Sequence, residues 1–102
     1  MKLPVEHQKV FDLIRNSKHK YVTKNMILVQ LDKPQSYRRN VEQIISDLVV
    51  KYNMPVGASS APETKGYFII ETENDKRIAK RDIQSRTSTM MLRLDAIDKI
   101  KL

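Results

Sequence analysis

Apolar residues recur at helical spacing in three early segments. Val5, Val10, Phe11, Leu13 and Ile14 alternate with charged residues and predict helix one over about residues 4 to 16, with Pro4 suited to a first helical turn because it lacks an N–H that would be unpaired there anyway. A polar connector, Asn16 to Lys20, leads to Tyr21 and Val22, which can form a short extended entry. Thr23 then reads as an N-cap for helix two, which runs to about Leu31 with Met26, Ile27 and Val29 to Leu31 as its buried side. Asp32-Lys33-Pro34-Gln35 is a tight connection, because Pro34 cannot continue a helix and disfavours helical geometry at Lys33. Ser36 is expected to cap helix three. In that helix Tyr37, Val41, Ile44, Ile45, Leu48 and Val49 form one amphipathic face, and Pro55 and Val56 end it near Tyr52-Asn53.

The period then changes. Met54 to Ser59 reads as a strand, Ser60 to Lys65 as a loop and Gly66 to Ile70 as the returning strand of a hairpin. The only two glycines of the chain, Gly57 and Gly66, both lie in it, where a bulge or a close backbone approach needs a residue without a side chain. One of Tyr67 and Phe68 must face inward, and both are expected to pack on helix three. From Glu73 the chain is helical again, with Thr72 or Asn74 as cap and acidic residues in the first turn. Ala79, Ile83, Thr87, Met90, Leu94 and Ile97 follow a near-heptad spacing along about 25 residues, roughly 38 Å at 1.5 Å per residue. A core of this size cannot cover that length. The seam Ile83, Thr87, Met90, Met91, Leu94 and Ile97 therefore either folds back onto helix one or pairs with a second copy, which is the favoured arrangement; Thr87 and the adaptable methionines weaken a pure coiled coil.

Composition narrows the classes. The 102 residues fit one domain with one modest core, divided here into residues 1–72 and a C-terminal helix, 73–102, that serves dimerisation. Nineteen Lys and Arg against twelve Asp and Glu give a net charge of +7, which points to a polyanionic partner. Cysteine is absent, so disulfides, thiolate zinc sites and a cysteine nucleophile are excluded. The two histidines cannot form a metal site alone, and no metal or cofactor is expected. There is no Gly-rich phosphate loop, no Ser-His-Asp arrangement and no pair of carboxylates embedded in apolar sequence, so the chain is read as non-enzymatic. No apolar run has signal or membrane-span length, and a cytoplasmic protein without membrane contact is expected.

With these residues in view, positions 4 to 70 resemble a winged-helix (winged helix-turn-helix) domain, of the small type carried by phages and mobile elements. The strand-wing-strand signature stands here as Met54-Pro55-Val56-Gly57-Ala58-Ser59-Ser60 and Lys65-Gly66-Tyr67-Phe68-Ile69, followed by an acidic start, Glu71 to Asp75, and a basic helical tail, Lys76 to Arg93. The resemblance implies a mostly helical α+β fold, three helices plus a two-stranded β-hairpin wing, with a long C-terminal helix. It also implies binding of double-stranded DNA in phage or mobile-element replication or transcription control.

The residue types agree with that implication. A helix fits the major groove of B-form DNA, Arg makes two hydrogen bonds to guanine, and Asn or Gln makes two to adenine. The first turns of helix three offer Gln35, Ser36, Tyr37, Arg38, Arg39, Asn40 and Gln43. The plain alternative makes Arg38 and Arg39 a solvated face paired with Asp32 or Glu42. Lys18, Lys20, Thr23 and Lys24, around the start of helix two, are candidates for phosphate contacts, or simply keep the protein soluble. Ser59, Ser60, Thr64 and Lys65 form the tip of the wing, where Glu63 opposes an anion. Two rival functions remain: a winged-helix module that docks on a replication or transcription protein, and single-strand binding along a basic groove.

Overall fold

The computed structural model describes residues 2–100. Among them, four α-helices and a two-stranded antiparallel sheet make a mostly helical α+β protein. Helix α1 spans Val5–Asn16, α2 Lys24–Leu31, α3 Arg38–Val50 and α4 Glu73–Asp98; strands β1, Val56–Ser59, and β2, Gly66–Ile69, lie between α3 and α4.

Pro4 stands one residue outside α1, and its carbonyl accepts the Gln8 N–H at 2.9 Å. The inward face of α1 is Val10, Phe11 and Ile14, whereas Val5 is exposed. Thr23 caps α2 as its type predicts, its hydroxyl accepting the Met26 N–H at 3.2 Å. The buried side of α2 differs from the expectation: Ile27 and Leu28 face inward, while Val29 is 76% exposed. This helix is apolar nearly all round, so its sequence carries no periodic signal to orient it.

The end of α2 is a Schellman motif built without glycine. Asp32 takes the left-handed conformation at φ 55°, its N–H donates to the Val29 carbonyl at 3.1 Å, and the Lys33 N–H donates to the Leu28 carbonyl at 2.9 Å. A 3₁₀ turn over Gln35–Tyr37 then feeds α3, so Ser36 sits inside that turn and is not the cap. Helix α3 buries Val41, Ile44, Ile45 and Leu48 and leaves Val49 partly exposed. It stops at Val50 ahead of the prolines: Asn53 turns left-handed at φ 52°, and the Tyr52 N–H reaches back to the Asp47 carbonyl at 3.1 Å.

The hairpin pairs Val56 with Ile69, Gly57 with Phe68, Ala58 with Tyr67 and Ser59 with Gly66. A third chain segment joins it at one residue, where Val22 and Tyr67 exchange backbone hydrogen bonds of 2.8 and 2.7 Å. β2 therefore lies between β1 and Val22. Gly66, at φ 131°, allows this, since a Cβ there would come within 2.8 Å of the Val22 carbonyl oxygen.

Alternation gives the hairpin two working faces. Val56, Tyr67 and Ile69 pack on the core formed with Val10, Phe11, Ile14, Val22, Ile27, Leu28 and α3. Phe68 is turned the other way, against Gly57 and Ala79, with the Tyr21 ring edge-on at 5.3 Å. Only Tyr67 thus faces the helical layer; Phe68 belongs to the packing of α4. Helix α4 lies along β1, covering this outer face, and does not fold back onto α1.

Candidate nucleic-acid interface

Around the N-terminal end of α3 the side chains divide into fixed and free. Arg38 is half-buried and its guanidinium donates to Asn25 Oδ1 at 2.7 Å and to Gln35 Oε1 at 3.1 Å. Gln35 in turn donates to the same Asn25 oxygen at 3.4 Å. Arg38 therefore bolts the start of α3 to α2, and it pairs with neither Asp32 nor Glu42, the partners that a solvated face would use. Asn25 escaped the sequence reading, because a polar residue in the first turn of a helix carries no signal of a tertiary partner.

Tyr37 is also structural in this state. Its hydroxyl donates to Glu6 Oε2 at 3.3 Å, and the Lys33 ammonium lies 5.1 Å from its ring centre. Burial and the neighbouring Glu6 carboxylate push the phenol pKa up. Arg39 and Asn40, by contrast, are exposed and have no hydrogen-bond or ion-pair partner among the described residues. Ser36 is exposed beside them. Gln43 donates to Asp47 Oδ1 at 3.0 Å, and Asp47 Oδ2 lies 2.9 Å from His7 Nε2. The His7 and Gln43 hydrogen bonds hold the Asp47 carboxyl below its ordinary pKa. Gln43 thus presents its carbonyl oxygen while its amide is held along the helix.

The lysines expected at phosphate are mostly engaged. Lys24 forms an ion pair with Glu42 of α3, and this contact is the first cause of the lowered Glu42 pKa. Lys20 binds Asp75 of α4 at 2.7 Å. Thr23 has its hydroxyl on the Met26 N–H, so its side chain closes the helix. Lys18 is exposed without a partner among the described residues. An anion at this edge would compete with Glu42 for Lys24 and with a buried carboxylate for Lys20. Lys18 and Arg39 are available without such competition.

The wing turns on its own hydroxyls. Ser59 Oγ and Thr64 Oγ1 are 2.8 Å apart across a 3₁₀ turn at Pro62–Thr64, and Ser59 Oγ also accepts the Ala61 N–H at 3.3 Å. Ser60 is held by Asp82 of α4 through both its N–H and its hydroxyl. Of the four wing residues singled out, only Lys65 projects a group that is free of internal bonds among the described residues.

One cluster joins three elements. Tyr67 of β2 is close enough to Lys24, Glu42 and Arg86 for their charges to act on its phenol, whose pKa burial raises. Arg86 of α4 is itself paired with Asp82. The sequence reading missed Arg86 and Asp82, since i, i+4 pairs on a long helix usually mark a solvated face.

The expected dimer residues lie apart from this region. Ile83, Thr87, Met90, Met91, Leu94 and Ile97 are all exposed along the distal half of α4, Leu94 at 61%. Among the described residues no group of three or more His, Asp or Glu is placed to hold a metal ion, and no helix is long and apolar enough to cross a membrane. Comparison with models of protein families, with curated proteins and with solved structures gave no match for this chain.

Proposed function

We propose that this chain is a non-enzymatic winged-helix protein that binds duplex DNA through the start of α3, as a dimer, in the replication or transcription control of a phage or mobile element. The observation that carries the reading is the pairing of Val22 with Tyr67. It adds a strand residue between α1 and α2 to a hairpin that follows α3, which is the element order of a winged helix. In that arrangement the polar side chains at the start of α3 are the ones to enter the major groove. Arg39 and Asn40 are the pair for base edges, being exposed and unengaged, and Arg38 sets the pitch of the helix that carries them. Lys18, Lys65 and, on exchange from Glu42, Lys24 take phosphates.

Titration of a labelled duplex at about 50 and 200 mM salt tests this reading. About five neutralised phosphates give a log-log slope near −4.5. Arg39→Ala with Asn40→Ala should abolish discrimination among duplexes in a site selection and leave the fold intact. Absence of duplex binding at the lower salt would reject it.

A second reading, docking on a replication or transcription protein, is favoured by the exposed apolar run Met90, Met91, Leu92 and Leu94. It predicts partner binding that Leu94→Asp removes and Arg39→Ala leaves untouched.

A further inference from the structure

We propose that the solvent face of the first half of α4, carrying Lys76, Arg77, Lys80 and Arg81, is a second, sequence-independent surface for the phosphate backbone of duplex DNA. The proposal rests on the duplex-binding reading and adds to it a face separated from α3 by the hairpin.

All four cations are exposed, and none has an ion-pair or hydrogen-bond partner among the described residues. At 100° per residue they cover one arc of the helix, while Asp75, Ala79 and Asp82, the buried residues of this stretch, cover an arc centred about 180° away. The arc of the four cations therefore keeps Glu73 as its one exposed acid, and Asp75 and Asp82 are turned inward. There Asp75 binds Lys20 and the Glu71 N–H, and Asp82 binds Arg86 and Ser60. A helix face that serves only solubility interleaves opposite charges at i, i+4. Here Lys76 faces Lys80 and Arg77 faces Arg81, which are like-charge pairs that weaken a helix, and Glu73, four residues before Arg77, is the single opposite charge on this face. Lys76 also stands at the end of the first turn, where the helix dipole disfavours a cation. The fold is thus worse off for this stripe, and a polyanion laid along it would relieve the repulsion.

Duplex DNA fits better than a lipid surface. A helix that lies in a membrane interface must offer an apolar face beside its cations, and the inward face of this segment is occupied by Gly57 and Phe68 of the hairpin. The distal seam, Ile83, Thr87, Met90, Leu94 and Ile97, is centred about a quarter turn from the stripe, so pairing of two copies along it leaves the stripe open.

The test compares the full chain with K76Q/R77Q/K80Q/R81Q and with the milder R77Q/R81Q, using a duplex titrated across salt. The second surface adds to the slope of about −4.5 that the α3 surface gives alone. Each phosphate that is no longer neutralised makes it shallower by about 0.9, so the fourfold variant should bind with a slope shallower by up to about 3.6 and the double variant by up to about 1.8. Circular dichroism should show undiminished helix in both, because the substitutions remove repulsion. A change in slope below about one unit for the fourfold variant, with duplex binding retained, overturns the surface and leaves the role of α3 standing. Failure of the unsubstituted protein to bind duplex overturns both. Binding to vesicles of phosphatidylglycerol and phosphatidylcholine that the fourfold variant loses, with an unchanged duplex slope, assigns the stripe to lipid and also overturns the proposal.

Discussion

Asp82 of α4 accepts two hydrogen bonds from Ser60 at the tip of the wing, from the backbone N–H at 3.1 Å and from the hydroxyl at 2.8 Å. These bonds fasten the tip of the wing to the helix. Asp82→Ala removes both bonds and releases Arg86. Each bond contributes about 1 kcal/mol, so the thermal midpoint should fall by roughly 8–16 °C. Hydrogen exchange at residues 60 to 64 should accelerate more than exchange in α1. Equal protection in the variant and the parent would mean that the wing holds its own shape.

The hairpin depends on its two glycines for different reasons. A Cβ on Gly57 would lie 2.7 Å from the Phe68 ring and 3.0 Å from the Ala79 methyl, so Gly57→Ala should separate α4 from the sheet at a cost of about 1–3 kcal/mol. Gly66→Ala meets a rarely adopted φ of 131° as well as the Val22 backbone, and should be the more damaging of the two. Chemical denaturation of both variants gives the ranking directly; a milder effect at Gly66 would place the strain elsewhere.

Those glycines mark how far the sequence could be read. Their presence in one hairpin signalled close approach, and the structure supplies both approaches, to Val22 and to Ala79. The Thr23 cap and the inward face of α3 were legible because each rests on local chemistry or on a clean period. What stayed hidden was long-range. Nothing in Tyr21-Val22 announces a backbone pair with Tyr67, and nothing in Asp75 or Asp82 distinguishes a buried carboxylate from a solvated one. The apolar run of α2 gave no face, and the short left-handed residues Asp32 and Asn53 ended helices that prolines were expected to end. At the candidate site the residue types were readable, but which arginine is free was decided by Asn25, a partner thirteen positions from Arg38.

Arg38 and Arg39 should accordingly separate in mutagenesis. Arg38→Ala loses hydrogen bonds to Asn25 and Gln35 at a partly exposed site, and is expected to lower stability by about 0.5–1.5 kcal/mol. Arg39→Ala should leave the unfolding midpoint unchanged and cost about 1–3 kcal/mol of affinity at a selected duplex site, if its contact with guanine is bidentate. Calorimetry of unfolding and duplex titration of the two variants distinguish these effects; a destabilised Arg39→Ala protein would reverse the assignment.

The distal half of α4 continues past the wing from residue 83 to 98, about 24 Å at 1.5 Å per residue, with its apolar seam uncovered. Leu94→Asp places a charge in that seam and should convert a dimer to a monomer in light scattering. Because Leu94 makes no part of the core, the circular dichroism of residues 5 to 82 should survive. A dimer that persists in this variant would locate the contact between copies elsewhere.

Asp75 gives the fold a dependence on acid. It is almost wholly buried, with 1% of its surface exposed, and the Lys20 ammonium and the Glu71 N–H hold its pKa below the usual carboxylate value. A carboxyl depressed in the folded state favours folding at every pH above its unfolded pKa, near 3.9, and loses that contribution as the pH falls through the lower folded value. Glu42 and Asp47 are shifted in the same direction and add to the acid sensitivity. Asp75→Asn keeps the shape and removes the charge. The variant should therefore melt well below the parent at pH 7, and the gap should narrow as the pH falls below the unfolded value and close as it passes through the depressed folded one. A gap that stays constant with pH would mean that the hydrogen bonds of Asp75, and not its ionisation, fasten α4 to the connector at Lys20.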